Sequence, residues 1–357
     1  MTRADDGVQY AWFAALCDDD YEYLGVPDLA LRSSWEHCAD IVRTAEHAGF
    51  DNVLLPSGYV LGIDSVAFAG GIAPELERLA LLVAVRCGEM WPPQLARQLA
   101  TLDRMLGGRL TVNIISSDLP GETVESALRY QRTLEVMQIV RSLLNGEPVD
   151  HHGEFYDLTI DPPTARTVSG ACPPFYFGGM SEPAREVAAQ AADVYLMWPD
   201  TMAQVTATVA DLTARAAHHD RTLRFGYRVH VIVRETESEA RDAADQLVSR
   251  LDPIAGDEIR ARSLDSTSAG VRRQAELRTD ATDDGYVEAN LWTGIGRARS
   301  GCGAAIVGDP DQVRAKLDAY RALGIDTFIL SGYPHAEEAE RFGRLVLASP
   351  AAPAPES

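Results

Sequence analysis

The chain has 357 residues, 46% of them hydrophobic, and a formal net charge of −21, with lysine almost absent. That acidity opposes nonspecific binding to nucleic acid or anionic lipid, which needs clustered cations, and no apolar run approaches the ~18 residues of a membrane span. The start "MTRADDGVQYAWF" lacks the segments of a signal peptide, so a cytoplasmic location is expected, and five scattered cysteines without a CxxC pair indicate neither a zinc site nor a disulfide framework.

Along the chain, strands and helices alternate. "VQYAWFAAL" reads as a strand, and Trp35, Cys38, Val42 and Ala45 then recur at helical spacing before Gly49, a good helix terminator. "NVLLP" and "LALLVAVR" are the second and third strands. The helix "PPQLARQLATLDRML" opens on Pro92 and Pro93 and stops at Gly107 and Gly108. "RLTVNII" makes a fourth strand, followed by the helix "TVESALRYQRTLEVMQIVRSLL", the strand "PPFYFGG", a helix after Ser181, the strand "DVYLMW" and a helix from Met202 to His219. The strand "RFGYRVHVIVRET" and the helix "SEARDAADQLVSRL" come next. From 252 to 290 the rhythm breaks into a polar stretch, read as an excursion that is part helical and part mobile. In "GDPDQVRAKLDAYRALGI" the order resumes: Asp309 can cap, Pro310 takes the first helical position, and Val313, Leu317, Tyr320 and Leu323 form the inner stripe. Strand "TFILSG" and a helix from His335 complete the series, and the tail over 350–357 reads as disordered.

Near-continuously apolar strands, each followed by a helix, predict a parallel sheet covered on its outside, and closure into a TIM (β/α)8 barrel of about eight strands removes its edges. A doubly wound open sheet is the alternative, but no GxGxxG follows a strand. One domain over 1–349 is expected, with 252–290 as a mobile lid.

Barrel chemistry sits where each apolar run gives way to polar residues at a strand's carboxyl end. Those ends supply Cys17; Ser57 and Tyr59; Arg86 and Glu89; Asn113, Ser116 and Ser117; Gly178, Gly179 and Ser181; Trp198; Arg228 and His230; and Tyr333 and His335. The ring is rich in arginine and poor in carboxylates, so it suits an anionic ligand better than a divalent metal or glycoside hydrolysis. Two glycines and then Ser181 at a helix start offer bare backbone N–H groups, a hydroxyl and a positive helix end, a pattern shared by phosphate sites and by plain tight turns. Arg228 and His230 stand two apart and so share one strand face. His37, His47, His218 and His219 fall on predicted helices and are read as solvent-facing, and the "DDD" of Asp18 to Asp20 as a solvated loop.

The blocks "PPFYFGGMSEPAREVAAQAADVYLMW", "FGYRVHVIVRET", "NLWTGIGRARSGCGAAIVGDPDQV", "LGIDTFILSGYPHAEEAERFG" and "ARQLATLDRMLGGRLTVNI" together resemble the bacterial luciferase-like superfamily, and within it the reduced-FMN-dependent alkanesulfonate monooxygenases. The resemblance runs from about Tyr10 to Leu347. It implies a TIM barrel with a late insertion, reduced FMN and O2 as co-reactants, a separate NAD(P)H-dependent flavin reductase as partner, and a homodimer or homotetramer. It also implies that Gly178, Gly179, Ser181 and Tyr130 hold the FMN phosphate and that Asn113 lies near the flavin ring. Arg228, His230, Arg299, Trp198, Tyr333 and His335 would surround the substrate, with arginines of the insertion (Arg262, Arg272, Arg273) closing over it.

Departures from the family pattern fall in the pocket wall. Cys17 stands where sulfonate monooxygenases carry a histidine, an apolar residue, Leu61, where they carry a cysteine, and Ser116 and Ser117 where they carry Thr-Gly. They point away from a simple alkanesulfonate and towards a specialised substrate, for instance a sulfur compound or a metabolite. A deazaflavin-dependent hydride-transfer enzyme and a flavin-binding barrel without turnover are the alternatives.

Overall fold

The computed structural model describes residues 7–59, 62–261, 268–299 and 301–348; Leu61, Arg262 and the predicted disordered tail lie outside them. Eight parallel strands form a closed ring: β1 (Gln9–Phe13), β2 (Asn52–Leu55), β3 (Ala80–Arg86), β4 (Leu110–Ile115), β5 (Phe175–Phe177), β6 (Val194–Met197), β7 (Arg224–Val233) and β8 (Ile325–Ser331). β8 pairs with β7 on one side and β1 on the other, which closes the TIM barrel. Helices cover the outside, so the strands are apolar on both faces and buried along most of their length.

Local chemistry sets the helix ends. Ser34 accepts from the His37 N–H at 3.1 Å to open helix Trp35–Ala48, and Gly49, at φ 96°, closes it. Asp309 caps helix Pro310–Ala322 through the N–H groups of Asp311 and Gln312, with Val313, Leu317 and Tyr320 turned into the core.

Strand alternation decides what faces the barrel axis. On β7, Tyr227, Val229 and Val231 join the outer core beneath the helices. Gly226 faces inward, against Leu196, Val194 and Thr327, and Arg228 and His230 share that inward face. The floor below them is the apolar cluster of Phe13, Leu54, Leu82, Tyr176, Val194 and Ile329, against which Cys17 and Leu196 pack.

Two excursions leave the ring. A hairpin, Val149–His152 with Asp157–Ile160, precedes β5 and was not expected; the buried Glu135 carboxylate holds its turn by accepting from the N–H groups of Glu154, Phe155 and Tyr156. The second is the expected late excursion, comprising helices Pro253–Ala261 and Ala269–Thr279 and the short strands Tyr286–Glu288 and Leu291–Trp292. It returns through strand Ala305–Gly308, which pairs parallel with the upper half of β7, Ala305 opposite His230. Among the described residues no helix is long and apolar enough to cross a membrane.

Candidate active site

A cavity of about 310 Å3 opens at the carboxyl ends of β4, β5 and β6, under helix Ala269–Thr279. The turn after β5 shapes it. A Cβ on Gly178 would sit 2.2 Å from the Leu196 carbonyl oxygen, and one on Gly179 2.6 Å from Ala184 and 3.3 Å from the Tyr130 hydroxyl. Gly179 has φ 153°, so neither position admits a side chain without displacement. The Tyr195 hydroxyl donates to the Gly179 carbonyl at 2.8 Å, and burial pushes its pKa up to about 12, so it remains a donor. Ser181 then caps helix Glu182–Ala191.

Three polar atoms of the lining are buried without partners among the described residues: the Ser116 hydroxyl and the Nε groups of Arg129 and Arg185. Asp118 fixes Arg129 at 2.7 Å and Asp211 fixes Arg185 at 2.9 Å, leaving those Nε groups for something else. Unpaired cationic donors beside a bare backbone turn and a helix start fit a phosphate-like group. Asn113, Met197 and Trp198 complete this part of the lining.

The roof is tied down. The Trp198 ring lies against the helix, where a Cβ on Gly270 would come within 2.9 Å of it, and against Gly301. Arg273 grips the Asp200 carboxylate with Nε at 2.8 Å and Nη2 at 2.7 Å, and Gln274 donates to the Pro199 carbonyl at 2.8 Å.

Beside this cavity, over the Phe13 ring, lies a second group that its lining does not include. Arg228 sits 4.5 Å and Arg299 5.3 Å from the ring centroid. Arg299 pairs with Asp19 and reaches the Tyr333 hydroxyl at 2.8 Å, and that hydroxyl donates to Asp19 at 2.9 Å. Arg228 is 3% exposed and has no carboxylate partner among the described residues, although its Nη1 reaches the Val229 carbonyl. Its Nη2 and the Nε2 atoms of His230 and His335 are buried and unpartnered. His230 shares a hydrogen bond with the Ser331 hydroxyl at 2.8 Å.

Burial, with the charges of Arg228 and His335, holds His230 well below the ordinary histidine range. His335 is lowered by burial, with Arg228 and Arg299 adding to the effect and Asp20 opposing it. The Cys17 thiol is raised by burial, which Arg299 and Arg228 offset only in part, so it is a poor nucleophile. Arg228 therefore presents an uncompensated positive charge among neutral rings, an arrangement that favours an anion.

The residues predicted from the sequence thus fall into two adjoining sets. Asn113, Ser116, Tyr130, Gly178, Gly179, Ser181 and Trp198 line the cavity, whereas Arg228, His230, Arg299, Tyr333, His335 and Cys17 gather around Phe13. Tyr59, at 67% exposure, joins neither set. Two expectations are corrected: Asp20 is not solvated but 4% exposed, and His37 does not face solvent but bonds to Asp20 at 2.8 Å. A loop carboxylate becomes internal because two histidines and backbone N–H groups converge on it. Arg129 and Arg185 were missed, although an arginine in the first turn of the helix after the glycine turn was a legible cue.

The family described as luciferase-like monooxygenase matches residues 12–327. A sulfoquinovose monooxygenase of Novosphingobium aromaticivorans is 65% identical over 351 residues, spanning 96% of this chain and 97% of its own. Another, of Agrobacterium fabrum, is 54% identical, spanning 97% and 91%. Among solved structures, the EDTA monooxygenase of Chelativorans superposes with a TM-score of 0.75 at 16% identity, over 95% of this chain and 92% of its own, which shows a common fold. A long-chain alkane monooxygenase gives 0.75 at 18%, over 97% and 91%. With the family match spanning most of its length and such close relatives, the chain belongs to the luciferase-like monooxygenases.

Proposed function

We propose that this monooxygenase takes up reduced FMN and uses O2 to oxygenate the sulfonate-bearing carbon of sulfoquinovose or a closely similar sulfonated sugar. The observation that carries the reading is Arg228, a buried guanidinium without a carboxylate partner, beside two histidine Nε2 atoms that also lack partners. The two relatives named for sulfoquinovose support the sugar. The glycine turn, Ser181, Tyr130, Arg129 and Arg185 would hold the FMN phosphate, with Asn113 and Ser116 towards the ring system.

Bound reduced FMN supplies the electrons with which O2 is activated. The chain does the rest. Arg228 and Arg299 would clamp the sulfonate, as planar forks do, with Tyr333 and His230 orienting it. For Arg299 this means sharing or exchanging its contact with Asp19. The segment 252–290, latched through Arg273 and Trp198, would act as the lid of a single barrel domain and exclude water from the reaction. A separate NAD(P)H-dependent reductase would supply the reduced FMN, and the chain would work as a homodimer or homotetramer in the cytoplasm.

Anaerobic titration with reduced FMN, oxidised FMN and a reduced deazaflavin tests the cofactor. The proposal expects reduced FMN to bind tightest and to react on mixing with O2; preference for the deazaflavin, with no reaction towards O2, would move the chemistry to hydride transfer.

A further inference from the structure

Asp20 sits in the loop after β1 with its side chain fully buried. Its Oδ1 accepts from the Tyr21 N–H, the His335 N–H and His335 Nδ1, each at 3.0 Å, and its Oδ2 bonds to His37 Nε2 at 2.8 Å. An ionised carboxylate can only accept, so Nδ1 of His335 must carry its hydrogen, and Nε2 of the neutral ring is left with a lone pair. That Nε2, on the far side of the ring from Asp20, is buried and unpartnered, with Tyr333 and Phe13 flanking the ring at 5.0 and 5.5 Å between centroids. The His335 carbonyl accepts from Trp12 Nε1 at 3.1 Å, which anchors the backbone. His230 is different: its Nδ1 meets no carboxylate but the Ser331 hydroxyl, which donates or accepts equally well.

We infer that Asp20, itself held by His37, is a positioning residue that locks His335 as the Nδ1–H tautomer and so makes Nε2 the proton acceptor when the carbon–sulfur bond breaks. The inference rests on the sulfonate reading above. Oxygen insertion leaves a hydroxyl on the carbon that bears the sulfonate. In the step assigned here the O–H bond breaks and its proton goes to Nε2. The oxygen's electron pair forms the carbonyl, and the C–S bond breaks with its pair leaving on sulfite. This step consumes no oxidant. The imidazolium that forms faces Arg228 and His230 from β7, Arg299 from the segment before Ala305, and the Tyr333 hydroxyl. Arg228 and Arg299 oppose its charge, and Asp20 favours it.

The test has two parts. In the free protein labelled with 15N-histidine, the signals of His335, assigned by their loss in His335→Gln, should show the Nδ1–H tautomer; an Nε2–H tautomer overturns the inference. In turnover, Asp20→Asn should lower kcat for sulfite release on the order of 10- to 100-fold. It should also move the acid limb of the kcat profile to lower pH, because the carboxylate that favours imidazolium is gone. KM for the sulfonate and the binding of reduced FMN should stay unchanged, and Asp20→Glu should recover part of the rate. An Asp20→Asn enzyme with the wild-type pH profile and kcat overturns it too. Should wild-type protein release no sulfite, the sulfonate reading falls, whereas the tautomer measurement still decides the role of Asp20.

Discussion

Replacing Arg273 with alanine removes the strongest tie between helix Ala269–Thr279 and the barrel. Arg273 makes two charge-assisted bonds to Asp200, at 2.8 and 2.7 Å, and the carboxylate is only 8% exposed. Without Arg273, Asp200 keeps the Thr201 N–H at 2.8 Å but loses its counter-charge. Breaking a buried pair from one side costs about 3–5 kcal/mol; the 22% exposure of Arg273 puts this case at the lower end. About 3 kcal/mol corresponds to roughly 100-fold more frequent opening of the helix. Amide hydrogen exchange reads this directly: the amides of Gln274 to Thr279 should exchange faster by about that factor, with the strands of the barrel unaffected. Wetter chemistry should accompany it, with more O2 consumed per substrate oxygenated. Unchanged exchange in this helix would refute the assignment of Arg273 as its latch.

Other residues give separate expectations. Arg299→Ala strips Asp19 and Tyr333 of their common partner and should lower turnover by two or more orders of magnitude, the scale of ~3 kcal/mol for a lost charge-assisted donor; near-normal steady-state rates would count against it. Gly178→Ala places a methyl 2.2 Å from the Leu196 carbonyl, so β5 and β6 must separate locally, and calorimetric titration should show reduced-FMN affinity at least ~10-fold weaker. Asp20 is held at about 2 by His335 and His37 against its burial, below its ordinary value of 3.8. Its contribution, about 2 kcal/mol, is therefore complete above the ordinary value and is lost as pH falls through the lower one. Thermal melts of wild type and Asp20→Asn should differ at pH 6 and converge towards pH 2; a gap that widens in acid would contradict this.

Elements with a strong local cause were legible in the sequence. The strands announced themselves as apolar runs because both barrel faces bury them, Gly178 and Gly179 stood out because a close backbone approach tolerates little else, and Ser181 because it caps the helix that follows. Strand parity alone put Arg228 and His230 on one face, and the structure turns that face to the barrel interior. What escaped was set by distant partners. Asp20 looks like its neighbours in "DDD" until His335, some three hundred residues later, returns to it through the last strand. His37 has a helical neighbourhood typical of a surface residue, yet helix Trp35–Ala48 packs so that its ring meets that carboxylate. The hairpin before β5 depends on Glu135, a residue of the preceding helix whose burial no local pattern signals.

A single turnover separates sulfonate oxygenation from idle oxidation of the flavin. The protein is loaded anaerobically with one equivalent of reduced FMN and excess sulfoquinovose, then mixed with O2, and sulfite is measured. Close to one sulfite should form per reduced FMN, falling sharply in Arg228→Ala. Oxidation of the FMN with hydrogen peroxide formed and no sulfite released would contradict the sulfonate reading.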